Sequence, residues 1–396
     1  MRTIPFGVSC LLLTTAAATA SGAAPAGPTV TAVVAKASAA APIQSPAVAS
    51  GPKGHAVAWV TGSLKKGFQL SLAFVNPAGK VSKKTVVAKG KGGLTPAIAA
   101  DGDGFVLAWA EGPAAGADVK VSFFAYGGKP SAAKTLATGL KYPSTPILAA
   151  GPGRVLVGWI DAPEAKSRVY ASTLPSGGGD PSETLEVSEG APPGATWATA
   201  GWDGKFFLLG WYDDVAKNVW VRYVAGEGKP ATEAMSIKGG QHVRSLHLAM
   251  LGFPFLIWEY QAKDGCWDIA TGPVPVDPKD LVMDPLEGPV PPKGAKTYDL
   301  PGGMRWALGA PGERIAYLKA GDRCISEAEM LGEKIPAVEL RVVKAGAPAA
   351  DATVLHRWEK ASPAERGLTL SSGAPVVVWY DYPTVSLKLA AFAPLE

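Results

Sequence analysis

The chain has 396 residues, of which 47% are hydrophobic and 18% charged, so it can bury a sizeable core and is not a disordered chain. A net charge of +4, from 38 Lys and Arg against 34 Asp and Glu, argues against nucleic acid as a partner. Four His and three Cys leave little material for a His- or Cys-based metal cluster, and no metal or other cofactor is expected.

Residues 1–20 are predicted to be an export signal. Arg2 supplies the charged start, Ile4 to Ala18 the apolar run, and Ala18-Thr19-Ala20 the small-x-small cleavage pattern. The run is broken by Pro5, Ser9 and Thr14 and falls short of the roughly 20 residues a membrane span needs, so no transmembrane segment is expected in the mature chain. Cys10 precedes most of the apolar run, an unfavourable place for a lipid-modified Cys. Residues 21–28 then form a linker. This points to the periplasm, the cell surface or secretion. Cys266 and Cys324 remain after cleavage; an exported protein permits a disulfide between them, and two buried thiols are the other reading.

The rest is organised by repetition. Pro46 to Trp59, Pro96 to Trp109 and Pro146 to Trp159 align, with their Trp residues 50 apart. Further copies end at Trp211, Trp258, Tyr317 and Trp379, at steps of 52, 47, 59 and 62. Each unit has a short apolar segment, a Gly-rich turn such as Asp101-Gly102-Asp103-Gly104, and an apolar run ending in the aromatic residue. That pair is predicted to be a β-hairpin. A third, alternating strand follows (Val119 to Phe123), then a turn (Gly127 to Pro130), then a more polar fourth strand (Thr85 to Ala88 in the first unit). Four antiparallel strands per roughly 50 residues describe a propeller blade. The seventh unit lacks its fourth strand, and Thr29 to Ala40 has the character of one. The expectation is an all-β, seven-bladed β-propeller over residues 29–396, with the N-terminal strand completing the last blade. Pro-rich residues 272–303 form an irregular insertion, and Ser326 to Lys334 is the one helix candidate. The recurring aromatic residues are expected to pack one sheet on the next.

This pattern resembles bacterial secreted β-propeller repeat proteins with Gly-x-Gly-(apolar)4-Trp repeats. It is distantly similar to sialidase-like propellers but lacks their Ser-x-Asp-x-Gly-x-x-Trp boxes. The resemblance implies architecture and leaves function open, because propellers host enzymes, lectins and scaffolds alike.

In a propeller, the loops before strand one and after strand two share one face, a usual place for a ligand. After strand two the sequence places Glu111, Asp161, Asp213, Asp214, Glu259 and Asp381. These could ring a cation or pair for glycoside hydrolysis; the alternative is that they bond free N–H groups of their own turns. Before strand one stand Trp197 and then Arg244, Arg305 and Arg366, spaced 61 and 61. Three guanidinium groups could converge on a carboxylate, sulfate or phosphate, or could pair with neighbouring acids. Trp197 and Trp306 could stack on a sugar ring, and Tyr212, Tyr260, Tyr380 and Tyr382 are expected on the same face. No nucleophile elbow, His-Glu-x-x-His, Walker loop or Cys-x-x-Cys occurs. The favoured expectation is a monomeric, non-catalytic binding or scaffold module for a glycan, an anionic ligand or a protein. The alternative is a glycan-active hydrolase or lyase using Arg244, Arg305 and Arg366 with Asp213, Glu259 or Asp381.

Overall fold

The computed structural model describes residues 27–38, 42–113, 115–141, 144–162, 166–238, 243–250, 254–261, 267–274, 305–310, 314–320, 337–344, 352–359, 361–371, 374–381 and 383–394. The predicted export signal, Cys266, Cys324, the helix candidate and Tyr382 lie outside these residues.

Among the described residues there is no helix, and the strands fall into seven antiparallel sheets. A first strand, β1 (Val30–Lys36), is followed by the first full sheet: β2 (Ile43–Gly51), β3 (Gly54–Ser63), β4 (Gly67–Val75) and β5 (Thr85–Gly90). The second holds β6 (Gly93–Asp101), β7 (Gly104–Gly112), β8 (Ala117–Ala125) and β9 (Lys134–Leu140). The third holds β10 (Ile147–Gly151), β11 (Arg154–Asp161), β12 (Arg168–Pro175) and β13 (Leu185–Glu186). The fourth holds β14 (Ala195–Trp202), β15 (Phe207–Asp213), β16 (Asn218–Val224) and β17 (Met235–Lys238). Three strands of the fifth are described, β18 (Val243–Met250), β19 (Pro254–Gln261) and β20 (Trp267–Pro273). The sixth holds β21 (Arg305–Ala310), β22 (Arg314–Ala320), β23 (Val338–Lys344) and β24 (Thr353–Trp358). The last holds β25 (Ala361–Ser371), β26 (Ala374–Asp381) and β27 (Ser386–Ala391), with β1 added at its outer edge.

The first strands of successive sheets pack side by side, β2 on β6, β6 on β10, β10 on β14, β14 on β18, β18 on β21 and β21 on β25. β25 then returns to β2. The sheets therefore form a closed ring, and the fold is a β-propeller. β1 pairs with β27 from Val30↔Ala391 to Lys36↔Ser386, so the first and last described strands share one sheet. β20 runs to Pro273, two residues into the predicted insertion; residues 275–303 lie outside the description.

Local chemistry makes each hairpin. In the first two sheets the second Gly of the turn is required by close approach. A Cβ at Gly54 would meet the Val75 carbonyl oxygen at 2.4 Å, and one at Gly104 the Phe124 carbonyl oxygen at 2.6 Å. A second device closes the turn from strand three to strand four. Ser131 donates its N–H to the Phe123 carbonyl at 2.8 Å, while its hydroxyl accepts the Phe123 N–H at 3.0 Å. Ser82 clamps Phe74 and Ser182 clamps Thr173 in the same reciprocal way. Thr232 accepts the Tyr223 N–H at 3.2 Å in the fourth sheet.

Alternate residues of one strand serve two interfaces. In β15, Phe207, Leu209 and Trp211 pack with β10–β12 residues such as Leu156 and Val169. Leu208 and Tyr212 pack with Val243, Leu246, Leu256 and Trp258 of the fifth sheet. Trp109 lies in the core shared with the first sheet and Trp159 in that shared with the second. Trp379 lies in the core shared with the sixth sheet. Trp59 closes the ring, packed with Val376, Val378, Leu387 and Leu389 of the last sheet and with Ala32 and Val34 of β1. Trp59, Trp109, Trp159, Trp211 and Tyr317 are each at most 2% exposed. Replacing such a group by Ala removes a large apolar surface and leaves a cavity, about 3–5 kcal/mol. Trp159→Ala is therefore expected to lower the stability read from urea unfolding by about 3–5 kcal/mol. A loss below about 1 kcal/mol, typical of a surface position, would contradict the sealing role.

Candidate functional site

The acids after strand two are bound to their own surroundings. Glu111 accepts the Trp109 indole N–H at 3.0 Å and lies 3.3 Å from Lys120 Nζ. Asp161 Oδ1 accepts the Lys141 N–H at 2.7 Å. Asp213 is fully buried, and its Oδ1 accepts the Val215 and Ala216 N–H groups at 2.8 and 2.7 Å. Asp214 pairs with Lys217 at 2.7 Å. Asp381 accepts from the Thr384 N–H and hydroxyl, and Lys388 Nζ lies 2.8 Å away. Asp213, Asp214 and Asp381 each organise the connection they begin, as short acidic side chains at turns do, whereas Glu111 ties its strand to the next and Asp161 fastens the connection between β9 and β10. Of the expected acids, Glu259 is placed by backbone alone, opposite Ser245 and Ile269. Among the described residues no three His, Cys, Asp or Glu gather to hold a metal ion.

The arginines do not occupy equivalent places. Arg366 stands opposite the anchor Trp379. Arg305 stands opposite Leu318, one residue past the anchor Tyr317. Arg244 falls at the irregularity between Val243, opposite Tyr260, and Ser245, opposite Glu259. All three lie on first strands, β21, β25 and β18, where loops were expected. The first strands begin earlier than the apolar pattern suggests because their opening residues, polar ones included, still pair with the second strand. Trp306 stands opposite Tyr317, in the row that Arg366 occupies one sheet later.

Trp197 lies within β14 opposite Tyr212, and it is 46% exposed. It thus offers indole surface at the end of the ring where β15 finishes. Tyr212 and Tyr380 depart from expectation: both are buried, in the cores shared with the fifth and first sheets. The reason is topological. A residue next to an anchor turns to the other face of its strand, and in a ring that face is covered by the next sheet. Tyr260 is placed by its backbone in β19.

Two histidines have structural surroundings. His55 is buried with its Nδ1 2.8 Å from Ser50 Oγ, and burial pushes its pKa down. His356 packs edge-on to Trp358 at 4.6 Å and is likewise pushed down by burial. Burial also lifts the Tyr317 hydroxyl to about 12.

The chain is similar in structure to the polysaccharide lyase Uly1, with 11% identity over 91% of this chain and 92% of that one and a TM-score of 0.53. It is also similar to a prolyl endopeptidase, with 14% identity over 91% of this chain and a TM-score of 0.50; it spans 48% of that chain. The Cps50 (Swd1) β-propeller domain of Myceliophteria thermophila matches at 12% identity over 85% of this chain and 94% of that one, with a TM-score of 0.47. At these identities the likeness concerns the fold. No protein-family model matches the chain, and no curated protein matches it.

Asp381 has a pH consequence. Burial alone would raise its pKa, but hydrogen bonds from Lys388 and Thr384 outweigh that and hold it below its ordinary 3.8. A carboxyl held low contributes stability above its unfolded pKa and loses it as pH falls through the folded value. Asp381→Asn is expected to be destabilised by about 1–3 kcal/mol at pH 7. Its deficit against the native protein should shrink as pH falls below 3.8. Thermal unfolding across pH checks this; a deficit independent of pH would contradict it.

Proposed function

We propose that the chain is an exported, seven-bladed β-propeller acting as a binding or scaffold module. Its ligand or protein partner sits at the face where first strands begin and second strands end. The apolar leader from Ile4 to Ala18 supports export, and the seven sheets among the described residues support the blade count. The observation that carries the reading is the use made of the carboxylates on that face. Glu111, Asp161, Asp213, Asp214 and Asp381 are engaged by backbone N–H groups, an indole N–H and lysines of this chain, as support for a scaffold. Beside them Trp197 keeps 46% of its surface exposed. An indole held on a rigid strand is suited to stacking on a sugar ring or an apolar partner surface.

The test uses the purified mature protein on a glycan array, and in turnover assays with sialosides and uronic-acid glycosides. Binding without turnover is expected, weakened about tenfold by Trp197→Ala, a loss of about 1.4 kcal/mol, with the melting temperature unchanged. Turnover, or binding untouched by Trp197→Ala, contradicts the reading.

A further inference from the structure

Away from that face, a cleft of about 360 Å³ lies between the first and second blades. One wall is the outer strand of the first blade, with Thr85 and Val86. The other carries Trp109, Ser122, Lys129 and Ser131. The volume is in the range of small-molecule sites.

The next junction of the same ring shows what this space is shaped for. Thr85 is opposite Leu72, which is opposite Ala58, the residue before the anchor Trp59. Lys134 is opposite Val121, which is opposite Ala108, the residue before the anchor Trp109. Thr85 and Lys134 thus hold equivalent positions. Ser131 and Ser182 are equivalent as turn clamps, so Lys129 and Asp180, each two residues earlier, correspond as well.

At the second junction Lys134 crosses from one blade to the next. Its ammonium donates to the Gly179 carbonyl and lies 3.3 Å from Asp180 Oδ1. A four-carbon stem with a charged tip spans the gap. At the first junction both members are changed. The stem is shortened to Thr85, and the acid is replaced by the cation Lys129, which has no ion pair or hydrogen bond among the described residues. The space left is the complement of a short stem whose tip is negative.

We propose that this cleft binds a small carboxylate on a short aliphatic stem, with Lys129 meeting the carboxylate and Val86 and Trp109 flanking the stem. Ser131 and Ser122 are occupied, Ser131 Oγ by the Phe123 N–H and Ser122 Oγ by the Ser131 carbonyl. Thr85 is the hydroxyl left to hydrogen-bond the ligand. A single exposed cation gives modest, salt-sensitive attraction, so millimolar affinity is expected.

The probes are succinate and N-acetyl-glutamate amide, with n-butylamine as a cation of similar size, followed by ligand-observed NMR on the mature protein. Binding of succinate is expected in the millimolar range, about tenfold weaker in Lys129→Ala and lost in Thr85→Lys/Lys129→Asp. That double variant installs the ion pair of the second junction and should keep the native circular dichroism. Comparable binding of N-acetyl-glutamate amide marks a glutamate side chain of a peptide as the source, and its failure beside succinate marks a free acid; either supports the site. The proposal is overturned if neither acid binds at about 20 mM, if Lys129→Ala leaves affinity unchanged, or if n-butylamine binds equally well.

Discussion

One interaction governs this molecule: a bulky aromatic side chain at the same register of each sheet, buried against the sheet before it. Trp59, Trp109, Trp159, Trp211, Trp258 and Trp379 occupy it, and Tyr317 is buried at the corresponding place of the sixth sheet. A single four-stranded sheet of this kind covers neither of its faces. Stacked radially, each sheet has one face covered by the sheet before it and the other by the sheet after it, which is why every residue of β15 is buried. The arrangement is satisfied only when the ring closes. Trp59 would have nothing to pack on if the last sheet, completed by β1, were not in place.

The rigidity that follows is what makes the open ends of the ring usable. The packed sheets carry most of the fold, so residues of loops and strand ends can vary from blade to blade. The carboxylates after strand two illustrate one use, fastening nearby strands and connections. The junction between the first two blades illustrates another. There Thr85 and Lys129 stand where the next junction has Lys134 and Asp180, and a cleft lies between the blades.

The hairpins, the anchors and the closing strand were legible in the sequence because each depends on local chemistry repeated in every unit: a Gly turn, an apolar run, an aromatic stop. The reciprocal Ser clamp was missed, although Ser82, Ser131, Ser182 and Thr232 recur at steps of 49, 51 and 50. Small hydroxyl residues are common in turns, so the recurrence does not stand out. The arginines show the opposite error. Their equal spacing of 61 suggested equivalence, yet they lie 14, 12 and 13 residues before their anchors. Counting from the anchor would have separated them, though not shown the irregularity at Arg244, since bulges leave no reliable trace in residue types. Tyr212 and Tyr380, expected by register on the loop face, are buried, because strand alternation in a ring of sheets does not separate core from solvent. It separates one neighbour from the other.

Closure through β1 is the condition on which this architecture stands, and it can be trapped directly. Val33 and Lys388 are direct partners across β1 and β27. Directly opposed residues of antiparallel strands have Cα atoms about 4.5–5.5 Å apart, within disulfide range. With the native Cys changed to Ser, Val33→Cys/Lys388→Cys should form an intramolecular disulfide quantitatively on mild oxidation, without loss of the native circular dichroism. Failure to cross-link in the folded protein, or cross-linking only between chains, would show that the first strand does not complete the last sheet.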